Sequence, residues 1–164
     1  MSRLDSFIRR LEAQRACLDL AVEAIQDLPG VVLELGLGNG RTYDHLRSLL
    51  PEREIIVFER EVRAHPDCIP AEEQLVLGRI EETLPAFSER QSEKAALVHS
   101  DIGTGDAERN RELAAWLSGA LPPLLLPGAV IVGDQALGHP CLKATPLPEG
   151  IAIDRYFVYR YWPA

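Results

Sequence analysis

The segment Glu34-Leu35-Gly36-Leu37-Gly38-Asn39-Gly40 sets glycine at every second position directly after an acidic residue. Glycine lets the backbone turn sharply and approach a bound group with no Cβ in the way. A loop of this kind can cradle a ligand and offer backbone N–H groups to an anionic part of it. The spacing separates ligand classes. A dinucleotide-binding turn reads G-x-G-x-x-G and needs glycine at 41, where Arg41 stands. A second carboxylate, Glu59, closes the apolar run Ile55-Ile56-Val57-Phe58, 25 positions after Glu34. A carboxylate at the end of a second strand suits paired hydrogen bonds to two ribose hydroxyls. Glu61 lies two residues further into the connection and is the poorer candidate.

These residues need elements to hold them. Val31 to Leu35 is an unbroken apolar-rich run ahead of the glycines, and similar runs lie at 55–58, 75–77, 95–98 and 129–133. Such runs suit parallel strands buried on both faces. Between them, 42–50, 80–91 (despite Pro85) and 106–121 have helical spacing, while 61–74 holds Pro66 and Pro70 and has room for a short helix. Leu4, Phe7, Ile8, Leu11, Leu18, Val22 and Ile25 place an amphipathic helix over 3–27, with Ser2 and Asp5 as a capping box. Strands alternating with helices predict a doubly wound, mostly parallel α/β sheet. The tail Arg155 to Trp162 alternates like a half-exposed strand and, after Pro146, Pro148 and Gly150, is expected to return antiparallel.

The chain's 164 residues predict one domain, with a helix in 1–29, a binding core in 30–135 and a shortened C-terminal part in 136–164. Hydrophobic content of 46% with 26% charged residues is ordinary for a globular protein. The net charge of −8, spread along the chain, argues against a nucleic-acid backbone or an anionic membrane as main partner. Cys17, Cys68 and Cys141 are far apart, as expected of reduced thiols in the cytoplasm. No signal peptide is expected, because Asp5 and Glu12 interrupt the N-terminal segment. The stretch Leu121–Leu126 is too short to span a membrane and is broken by Pro122 and Pro123.

The pattern E-x-G-x-G-x-G from Glu34, with Glu59 and the antiparallel tail, resembles the class I S-adenosylmethionine (SAM)-dependent methyltransferases, in particular a small stand-alone bacterial type. The resemblance covers about residues 30–135. It implies in-line transfer of a methyl group from SAM to a small acceptor. Gly36, Gly38, Asn39 and Gly40 would line the SAM site, and Glu59 would take the ribose hydroxyls. Glu34 would meet the SAM ammonium or, in the other reading, bond the loop's own amides. Gly78 and Ile80 would border the adenine, with Arg79 where the family usually has an acidic residue. Asp101, ending the fourth strand, would face donor and acceptor, with Asp101, His99 or His139 as base.

Asp101, Asp134 and Gln135 also resemble the divalent-cation ligands of catechol-type O-methyltransferases, whose oxygen donors suit magnesium. Gln135 in place of Asn, and Thr104 in place of a catalytic lysine, weigh against that cation. The Asn/Asp-Pro-Pro-Tyr/Phe signature is missing, which lowers amino-group methylation of nucleic acid. The family places a helix and a strand between its fifth and final strands; 135–152 is short for both, so the helix is expected to be lost or reduced to a turn. The N-terminal helix would be a lid, and without a larger cap the acceptor is small or recognised partly by another subunit. Tyr156, Tyr159, Tyr161 and Trp162 would form an acceptor wall, an edge strand or a contact in a homo-oligomer. Two rival functions are a SAM-binding regulatory protein without turnover and, more distantly, a nicotinamide-dependent oxidoreductase.

Overall fold

The structure, a computed structural model, describes all 164 residues. Helix α1 (Arg3–Ala24) opens the chain, capped as its sequence predicts: Asp5 N–H donates to Ser2 Oγ and Ser2 N–H donates back to Asp5. Strands β1 (Val31–Leu35), β2 (Ile55–Glu59), β3 (Leu75–Leu77), β4 (Ala95–Ser100) and β5 (Leu125–Gly133) follow, all parallel. Helices α2 (Arg41–Leu49), α3 (Ile80–Arg90) and α4 (Ala107–Ala120) lie between them. The chain ends with β6 (Leu142–Ala144) and β7 (Phe157–Tyr161). The sheet order is β3-β2-β1-β4-β5-β7-β6, with β7 antiparallel to both neighbours.

Strand alternation divides the core into two layers. On one face Val32, Val57, Leu97, Val130 and Val132 pack against Cys17, Leu18 and Ala21 of α1 and Leu46 of α2. On the other, Leu33, Leu35, Ile56, Phe58, Val98 and Ile131 pack against Leu84 of α3 and Leu117 of α4. The order runs outward from β1 through β2 to β3, then returns to β4 on the other side. The carboxyl ends of β1 and β4 therefore flank the crevice where ligands of doubly wound sheets bind.

Three expectations change. The 61–74 connection forms no α-helix, only 3-10 turns at Pro66–Cys68 and Glu72–Gln74, because its prolines break a longer run. Strand β5 begins at Leu125, four residues earlier than the apolar run from 129 suggested. Between β5 and β7 the helix is absent, as its short length required, but the strand survives as β6. Since β6 covers β7, the aromatic tail is not the sheet's edge. No helix is long and apolar enough to cross a membrane.

Candidate active site

The glycines of the loop after β1 have different tasks. At Gly36 (φ +91°) an added Cβ would lie 2.8 Å from the Asp101 carbonyl oxygen and from Ile102 Cγ2, because the exits of β1 and β4 touch. At Gly38 (φ +53°) an added Cβ would meet nothing within 4 Å. Gly36 is therefore demanded by packing, whereas Gly38 is favoured by its left-handed backbone and borders open space in the cleft. Gly40 abuts Cys68 in the following connection.

Glu59, at the end of β2, braces this loop. Its Oε2 accepts from Leu37 N–H (2.8 Å) and Gly38 N–H (3.1 Å), and its Oε1 from Arg60 N–H (2.7 Å). The carboxylate remains on the cleft wall. Glu61 N–H is a fourth, longer donor to Oε1 (3.5 Å), the contact that a ligand hydroxyl would most readily replace.

Glu34 has a different fate. It shares the α1-facing side of the sheet with Val32 and is fully buried, at 0% exposure. Its carboxylate accepts from Thr42 Oγ1 (2.6 Å) and lies 2.9 and 3.0 Å from Nδ1 of His99, itself at 0% exposure. Nε2 of His99 is 2.6 Å from the Tyr156 hydroxyl, which also accepts from Gln14 Nε2 (2.9 Å). The same Gln14 nitrogen donates to Asp101 Oδ2 (2.9 Å), and Arg10 is ion-paired with Oδ1. A chain of polar groups thus runs from α2 through the sheet to α1. Burial resists charge on His99, but the Glu34 carboxylate outweighs it through charge and hydrogen bond, so the imidazole pKa is raised. Burial pushes the Tyr156 phenol up, so it stays protonated.

The cleft has two lobes. One, about 250 Å³, is bordered by Glu59, Gly78, Ile80, Ile102, Thr104 and Leu113. The other lies under α1, between Phe7, Arg10, Leu11 and Gln14 and the loop residues Leu37 to Asn39, with Arg41 and Thr42 beyond. Gly36, Gly38 and Asp101 border both. The first turns of α1 project past the core, leaving Phe7 48% exposed, so α1 overhangs the loop side of the cleft.

A sequence model described as S-adenosyl-L-methionine methyltransferase matches residues 1–161. The chain belongs to this family. It is similar to a crystal structure of an S-adenosyl-L-methionine methyl transferase from Silicibacter pomeroyi DSS-3, at 48% identity over 98% of this chain and 99% of that one, with a TM-score of 0.92. It shares its fold with human methyltransferase-like protein 13 in complex with SAH (12% identity, 96% of this chain and 80% of that one, TM-score 0.54). Curated proteins give no match. SAM is accordingly the methyl donor, and the open space at Gly38 with Glu59 on the wall suits it.

In this methyltransferase several sequence expectations are corrected. Glu34 cannot meet the SAM ammonium, because strand alternation turns it into the sheet–helix interface, where Thr42 and His99 occupy it. His99 is on the same buried face, at 0% exposure and with both nitrogens engaged, so it borders neither lobe of the cleft. His139 borders neither lobe; its Nδ1 accepts from Cys141 N–H beside β6. The cation ligand set is not assembled: Asp101 is held by Arg10 and Gln14, and Gln135 turns its NH₂ to Asp134 (3.3 Å). No three His, Cys, Asp or Glu residues are grouped to hold a metal. Burial, and then repulsion from Asp101, push the Asp134 carboxyl up, and its Oδ1 has no partner. The aromatic wall does not form. Tyr156 is in the core, Tyr159 is on the opposite layer accepting from Leu137 N–H, and Trp162 is at the far end by Gly128.

The structure also adds residues that motif reading passed over. Gln14 is 6% exposed on the buried face of α1, between Leu11 and Leu18. A polar residue at an apolar helical position was the available signal. Arg10 and Arg41 gave none, since an arginine on a helix is ordinarily solvated.

Proposed function

We propose that this methyltransferase methylates a small molecule seated under α1, with Asp101 as the proton acceptor. The observation that carries this is the position of Asp101. It is the one ionisable side chain bordering both lobes, where a donor held along the cleft meets an acceptor under the lid. The adenosine part of SAM would occupy the lobe of Gly78, Ile80 and Glu59, with Glu59 taking the ribose hydroxyls. Its sulfonium-bearing end would pass Gly36 and Gly38 toward Asp101.

When bound, SAM supplies an activated methyl group, so the protein has only to align the reactants, exclude water and receive a proton. Arg10 ion-pairs with one oxygen of Asp101 and Gln14 donates to the other, so the carboxylate is fixed in position between the lobes. Phe7 and Leu11 close the lobe with apolar surface. The free thiols Cys17, Cys68 and Cys141 support a reducing, cytoplasmic setting.

The test is Asp101→Asn, with turnover and SAM affinity measured separately, the former by SAH release in a panel of small acceptors. Loss of a positioned base is expected to lower kcat by about 10²-fold or more, with SAM affinity within a few-fold. Retained kcat with weakened SAM binding would assign Asp101 to the donor instead.

A further inference from the structure

Gln14 stands at a junction between α1, the end of β4 and the residue ahead of β7. It is 6% exposed, and its side-chain nitrogen lies 2.9 Å from both Asp101 Oδ2 and the Tyr156 hydroxyl oxygen. An ionised carboxylate has no hydrogen to give, so the amide must turn its NH₂ toward Asp101. That group carries two hydrogens, and the two contacts use both. Tyr156 therefore accepts from Gln14. The tyrosine is itself fixed: its oxygen is 2.6 Å from His99 Nε2, and the two rings stack with centroids 5.9 Å apart and 23° between planes. His99 is in turn clasped by Glu34. The other oxygen of Asp101 is held by Arg10, whose side chain is 45% exposed. An ion pair open to water is screened and orients weakly. The firm support of Asp101 thus comes from the interior, through Gln14.

Resting on Asp101 as the proton acceptor, we infer that Tyr156 is a positioning residue for methyl transfer: through Gln14 it sets the orientation of the Asp101 carboxylate, and the buried Glu34–His99 pair sets Tyr156. Without the Tyr156 oxygen, one N–H of Gln14 is left buried and unpaired, a state that costs more than a rotation of the amide. Once the amide turns, Asp101 loses the donor that fixes its Oδ2. A base slightly out of place still leaves the binding surfaces intact, so the cost falls on the chemical step. Tyr156 borders neither lobe of the cleft, so it acts through its neighbours and not on a ligand. The C-terminal part of the chain, which supplies no wall to the cleft, thereby contributes to the reaction from behind it.

The experiment compares the intact protein with Tyr156→Phe, which keeps the ring and removes the hydroxyl, with Gln14→Met and with the double variant. Turnover is read as SAH release over the panel of small acceptors, and the Gln14 side-chain amide by heteronuclear NMR of nitrogen-labelled protein. In the intact protein both Gln14 amide hydrogens should exchange slowly with solvent. Tyr156→Phe should speed that exchange about tenfold or more. It should lower kcat by about tenfold while SAM affinity stays within about twofold. The double variant should have the kcat of Gln14→Met, because Tyr156 acts through Gln14. Fast exchange of both hydrogens in the intact protein would overturn the assignment with no variant needed, which keeps the test open if Tyr156→Phe melts early. So would unchanged Gln14 exchange in Tyr156→Phe, or kcat losses that multiply in the double variant. A tyrosine that only fills the core would lower the melting temperature and leave the Gln14 amide as it was. If Asp101→Asn kept its kcat, the reading of Asp101 would fail and take this inference with it. Loss of turnover in Asp101→Asn with none in Tyr156→Phe would remove the positioning role alone.

Discussion

Glu34 and Glu59 lie at or near the carboxyl ends of neighbouring parallel strands, with Glu34 paired to Val57 two residues before Glu59, and they differ by one outcome of strand geometry. Glu34 is the fourth of five residues in β1 and points into the layer beneath α1. Glu59 is the last residue of β2 and emerges at the rim, under the loop it braces. One carboxylate is surrounded by a hydroxyl, an imidazole and apolar side chains; the other by backbone N–H groups and the cleft. An acidic residue near a strand's carboxyl end is therefore not yet a ligand-binding residue. Glu34 pairs with Val57 and Glu59 follows Val57 by two, so both share one parity; the distance from the strand's end and the element packed above decide whether the carboxylate holds the ligand or the fold.

The comparison can be broken most forcefully at Glu34. Glu34→Ala strands a buried imidazole and the Thr42 hydroxyl, and removal of one partner from a buried ionic pair costs about 3–5 kcal/mol. Denaturant unfolding should show that loss, with a lowered midpoint. A shift below about 1 kcal/mol would mean that the interface admits water and that Glu34 is not the anchor described.

Glu59→Ala should divide the opposite way. Stability should fall by only about 1–3 kcal/mol for the orphaned loop donors. SAM affinity should fall by about tenfold or more, as expected for lost charge-assisted hydrogen bonds to the ribose. Titration calorimetry on the variant checks this, and unchanged affinity would remove Glu59 from the ribose role.

The smallest effect is with pH. The pKa of His99 is raised in the folded protein, since Glu34 overcomes the cost of burial. A raised folded pKa contributes stability that is fully present below the unfolded value of about 6.5 and is lost as pH rises through the folded value. Unfolding free energy should therefore decline as pH rises above about 6.5. His99→Gln should flatten that decline, whereas Glu59→Ala should keep it. A parallel pH dependence in all three proteins would detach the effect from the Glu34–His99 pair.

What the sequence disclosed and what it withheld follow the reach of the interactions. Val31 to Gly40 announces strand, loop and ligand cradle because every determinant lies within ten residues. The helices with clear apolar spacing were equally legible, and so was the antiparallel return of 157–161. Gln14 and Tyr156, separated by 142 positions, meet only once the sheet has ordered, as do Arg10 and Asp101 at 91. His99 looked like a base because a strand-end histidine has that chemistry; only the third dimension shows both nitrogens engaged. Strand β6 escaped notice because Lys143 interrupts Leu142 to Ala144, whereas the equally short β3 is an apolar run, Leu75 to Leu77.

The placement of β7 between β5 and β6 has a consequence in time. The final strand is an interior one, and Tyr156, the residue before it, connects helix α1 to His99. Contacts this distant in sequence form late, because the ends of a long segment must first be brought together. Helix α1 already packs on β4 and β5 and reaches Asp101; what residues 156–161 add is the Tyr156 hydroxyl between Gln14 and His99, which ties the helix to the buried pair.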